Sequence, residues 1–117
     1  MRTKSVECFA TDPKSRGLRV ELTPQESLVL PHEHFMYSKL CAGTEFDTLT
    51  LCFMTHEVVL TGYGLRRVEG AMQVRDLSWV AARTVRYKSQ GVEKGFISSI
   101  TVRQTDEDKG DANSRKN

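Results

Sequence analysis

The chain has 117 residues, of which 38% are hydrophobic and 27% charged, with a formal net charge of +2. That length supports one hydrophobic core rather than two. The composition excludes a disordered polymer, a collagen and a membrane protein, and so small a net charge argues for no particular partner. The charge is unevenly spread. Residues 1–65 carry 6 Lys/Arg against 8 Asp/Glu, residues 66–103 carry 8 against 3, and residues 104–117 carry 3 against 4. The 66–103 segment is therefore basic.

The N-terminal residues contain no apolar h-region, so the sequence predicts no signal peptide and a cytoplasmic protein. The apolar runs are a few residues long, whereas a spanning helix needs about 20. Ser5 to Ala10 is a short strand candidate, closed by a loop at Asp12-Pro13 and Gly17. Leu18, Val20 and Leu22 alternate with Arg19 and Glu21, and Leu28 to Leu30 return after Pro24. The reading is a hairpin with a three-residue loop, Val20 opposite Leu30 and Leu22 opposite Leu28. Pro31 ends it, because proline cannot donate to a ladder. Residues 32–42 suit one helical turn or an irregular strand.

Asp47 to Gly62 carries the clearest pattern. Pairing Phe53 with Val58 and Leu51 with Leu60 puts Leu49, Leu51, Phe53, Val58 and Leu60 on one face, whereas a one-residue slip would scatter them. Residues 64–75 then change period. Leu65, Val68, Ala71 and Met72 share one side of a helical wheel, which predicts an amphipathic helix weakened by about 1 kcal/mol at Gly70. Leu77 to Lys88 and Phe96 to Arg103 are rich in β-formers, and a second long hairpin is the simplest reading. Residues 104–117 bear no large apolar side chain and are expected to form a disordered polar tail after a single domain over 1–103. The expected class is α+β: a mostly antiparallel sheet of about six strands, curled or barrel-like, with one amphipathic helix near 64–75.

Four constellations invite chemistry. His32 and His34 form an H-x-H pair that on a strand would point the same way and share a metal, with His56 or Cys52 completing the set. The Glu spacing and the second Gly/Pro/His motif that cupins require are missing. Cys8, Cys41 and Cys52 contain no C-x-x-C pair and are read as reduced, packed thiols. Gly62, Gly64 and Gly70 lack the third glycine of a dinucleotide fingerprint, since Arg67 stands in its place, and are read as a tight strand-to-helix turn. The basic segment, Arg66 to Arg103 with Trp79, Tyr87 and Phe96 interleaved, has the elements of a phosphate-and-stacking surface.

Along 77–88, Leu77, Trp79, Ala81 and Val85 share parity with Arg83. This implies either a bulge near Ala81–Ala82 or a second covered face, and the latter suits a homo-oligomer. The expectation is a small cytoplasmic, non-catalytic binding or interaction module that self-associates and needs no cofactor. The alternative is a weak nucleic-acid binder using the 66–103 face, with Arg83, Arg86, Lys88 and Arg103 as contacts. The third is a metal-dependent activity at His32 and His34.

Overall fold

The computed structural model describes residues 8–83 and 95–105. Along them run β1 (Phe9–Thr11), β2 (Gly17–Thr23), β3 (Glu26–Pro31), a 3₁₀ turn (His32–His34), β4 (Phe35–Ala42), β5 (Asp47–Phe53), β6 (His56–Tyr63), α1 (Arg66–Gln73), β7 (Leu77–Val80) and β8 (Phe96–Gln104). The class is α+β, with strands that are mostly antiparallel. They divide into two four-stranded sheets rather than one curled sheet. Sheet A has the order β1-β7-β2-β3 and sheet B the order β4-β5-β6-β8. One neighbour pair, β2 with β7, is parallel.

Both predicted hairpins form, each two residues out of the predicted register. Val20 faces Leu28 and Leu18 faces Leu30, with an irregularity between Glu21 and Thr23 that leaves Leu22 40% exposed. Leu51 faces Val58 and Leu49 faces Leu60. In β5–β6 the whole shift comes from a tighter turn, Met54–Thr55; in β2–β3 a turn one residue tighter, Pro24–Gln25, supplies one step and the irregularity between Glu21 and Thr23 the other. A shift of two preserves the face of every side chain. Leu49, Leu51, Phe53, Val58 and Leu60 are accordingly all fully buried.

The predicted 77–103 hairpin does not form among the described residues. β7 joins sheet A between β1 and β2, and β8 joins sheet B beside β6. β8 matches its apolar alternation to β6, Val102 facing Val58 and Ile100 facing Leu60. The bulge expected near Ala81–Ala82 lies earlier. The β1–β7 register shifts between Ala10 and Thr11, which pair with Trp79 and Leu77. Leu77 and Val80 are both buried as a result, and Trp79 is half-buried. The predicted tail lies outside the described residues from 106 onward, while Gln104 closes β8.

The helix is shorter than its apolar pattern, because both ends are fixed by specific contacts. Gly64 turns into it with φ 62°, and the Leu65 N–H donates to Asp47 Oδ2 at 3.3 Å. At the other end Arg75 has φ 60°. Its N–H donates to the Met72 carbonyl, and the Asp76 N–H to the Ala71 carbonyl. This is a Schellman closure with arginine where glycine is usual. Leu65, Val68 and Met72 pack with the inner residues of both sheets in one buried cluster, together with Leu18, Leu77 and Phe96.

Candidate functional site

Of the predicted nucleic-acid contacts, Arg86 and Lys88 lie outside the described residues. Arg83 and Arg103 are engaged within the fold. The Arg83 guanidinium carbon lies 5.4 Å from the Trp79 ring centroid, and its backbone N–H donates to the Ile97 carbonyl at 2.8 Å. Arg103 pairs with the Glu57 carboxylate. Ile97 and Arg103 are six residues apart on β8, which at about 3.3 Å per residue separates them by about 20 Å, roughly two Debye lengths at physiological salt. These two arginines therefore share no patch. Arg75 lies over the Phe35 ring at 5.1 Å, and Arg66 pairs with Glu69 at 3.9 Å.

The H-x-H pair sits on a 3₁₀ turn, not a strand, which removes the geometry that would aim both rings at one ion. His32 is buried, and its Nε2 lies 2.8 Å from the Leu77 carbonyl oxygen. A carbonyl only accepts, so Nε2 carries the proton and is committed to sheet A. His34 accepts the Met54 N–H at its carbonyl, and His56 Nδ1 bonds the Thr55 hydroxyl at 2.8 Å. Among the described residues no three His, Cys, Asp or Glu side chains are grouped to hold a metal. Cys8 and Cys52 are buried free thiols, whereas Cys41 is exposed rather than packed. Burial pushes the Cys8 thiol above its ordinary pKa.

Three features escaped the sequence reading. The first crosses the outer face of sheet B, where Tyr37, Cys52, Glu57 and Arg103 stand opposite one another on four strands. The Cys52 thiol donates to Glu57 Oε2 at 3.8 Å, and Arg103 pairs with the same carboxylate. The Cys52 side chain, by hydrogen bonding and then by charge, raises the Tyr37 hydroxyl above its ordinary pKa. A nucleophile needs access, and Cys52 is 6% exposed. The row is a cross-strand tie.

The second is apolar and exposed. Met36 and Tyr37 on β4, Met54 in the β5–β6 turn and Val74 after α1 are each more than half exposed. The Met54 N–H bonds the His34 carbonyl just before β4, and Arg75, next to Val74, covers Phe35 at the start of that strand. The third is a shallow open groove of ≈ 220 Å³ on sheet A, lined by Arg19, Glu21, Gln25, Glu26, Ser27 and Trp79 among others. The parallel β2–β7 register sets Arg19 beside Trp79, and the β2–β3 register sets Glu21 across from Ser27. The first feature, and the place of Trp79 in the third, depend on strand pairing between distant segments. A period-2 reading gives the face of a residue but not its neighbours on that face. Set against protein-family models, curated proteins and solved structures, the chain matches none of them.

Proposed function

We propose that this protein is a non-catalytic interaction module that self-associates edge to edge through β4. The observation that supports the reading is the pair Met36 and Tyr37, each 57% exposed, on a strand that pairs only with β5 among the described residues. An unpaired edge of eight residues is a template for another strand, and exposed apolar side chains beside it favour burial. The strand itself contains one lysine and no acid. An identical strand is a suitable occupant, since antiparallel pairing about a two-fold axis is self-complementary.

Charge selects the register. Centred on Ser38, the pairing sets each Lys39 opposite the partner's Tyr37, a cation over an aromatic ring. Centred on Lys39, it would oppose two like charges. Sedimentation equilibrium is expected to show a dimer that Tyr37→Lys weakens about tenfold by creating two like-charge pairs. Adding Lys39→Glu to Tyr37→Lys should restore it. A chain that stays monomeric up to about 1 mM, or a dimer indifferent to Tyr37→Lys, overturns the proposal.

A further inference from the structure

We infer that the groove beside Trp79 is a binding site for a neutral saccharide, with one sugar ring stacked on the indole. The inference starts from the tryptophan. Trp79 lines the groove, while Arg83 lies over its ring at 5.4 Å and is not among the groove-lining residues. The guanidinium holds the ring without lining the groove, and a sugar would stack on the indole surface that does line it. An indole face carries partial negative charge and attracts the polarised C–H face of a sugar ring.

The polar lining decides the ligand's charge. Arg19, Glu21 and Glu26 take no ion-pair partner among the described residues. An anion entering the groove meets two carboxylates. A cation meets Arg19. A neutral ligand that both donates and accepts hydrogen bonds satisfies both signs, and vicinal hydroxyls do so against a guanidinium, carboxylates, the Gln25 amide and the Ser27 hydroxyl. The volume is below the roughly 300–1,000 Å³ of drug-sized pockets, so it suits one ring, and the open ends allow a longer chain to continue.

Trp79 is the chain's single tryptophan, so fluorescence excited selectively at the indole, beyond the absorption of the three tyrosines, reports on this groove. The full chain would be titrated with glucose, galactose, mannose, N-acetylglucosamine, maltose, cellobiose and chitobiose, with inorganic phosphate and ATP as anionic probes. At least one sugar is expected to give a saturable change with Kd of about 1–10 mM, as expected for a ligand of this size. The Kd should hold between about 0.05 and about 0.5 M NaCl, since no net charge is neutralised. Arg19→Ala and the conservative Glu21→Gln should each weaken it at least tenfold with the melting temperature retained. No saturable change with any sugar up to about 100 mM overturns the inference. So does a sugar response unaffected by both variants, or a response to phosphate or ATP that salt abolishes.

Discussion

At Gly62 a neighbouring backbone comes close enough to exclude any side chain. A Cβ built on it would lie 1.8 Å from the Phe96 carbonyl oxygen, where the β6–β8 register shifts. The sequence places this glycine in a tight strand-to-helix turn, whereas it lies inside β6. Its absent side chain lets Phe96 and Ile97 both turn into the core. Gly62→Ala should therefore cost about 1–3 kcal/mol through forced backbone movement, seen as a lower urea midpoint. His32 and Arg83 show the same dependence on remote neighbours. Their residue types suggested a metal ligand and a phosphate contact, and their partners are the Leu77 carbonyl and the Trp79 ring.

At the scale of elements, face was legible and register was not. The apolar alternation of 18–30 and 47–60 identified the side chains that enter the core apart from Leu22, which the irregularity in β2 leaves exposed, and a two-residue register error left the rest of that set unchanged. Helix α1 was legible from its period and ends where local contacts end it. Nothing lies within 4 Å of a Cβ added at Gly70. Gly70→Ala should thus stabilise the protein by about 0.5–1 kcal/mol, raising the urea midpoint with an unchanged slope. Gly62 and Gly70 would then respond to the same substitution with opposite signs, one crowded by backbone and the other open. Arg75 keeps a left-handed conformation that glycine adopts more easily, and its side chain lies over Phe35 on the neighbouring β4.

At the scale of the molecule, two sheets share one buried cluster with the helix. His32 joins the 3₁₀ turn that leads into sheet B to β7 of sheet A. Removing that ring orphans a buried carbonyl and opens a void, so His32→Ala should cost about 1–3 kcal/mol. Thermal melts should remain a single transition at lower temperature, because the cluster still couples the sheets. An unchanged melting temperature would show that Leu77 finds another donor. The β4 edge and the Trp79 groove belong to different sheets. Self-association and sugar binding are therefore expected to vary independently, with Tyr37→Lys leaving the fluorescence titration unaltered.

The sequence by itself determined the α+β class, the helix and the buried faces of two hairpins. Each rests on a periodicity carried by adjacent residues, Leu49 to Leu60 and Leu65 to Met72 above all. Only the tertiary structure decided that β7 and β8 part company into different sheets, since a strand's alternation suits any partner of matching parity. That choice set Trp79 beside Arg19 and Arg103 beside Glu57. Those side chains are 46 or more residues apart in the chain, and their meeting is a property of strand order, which local periodicity does not encode.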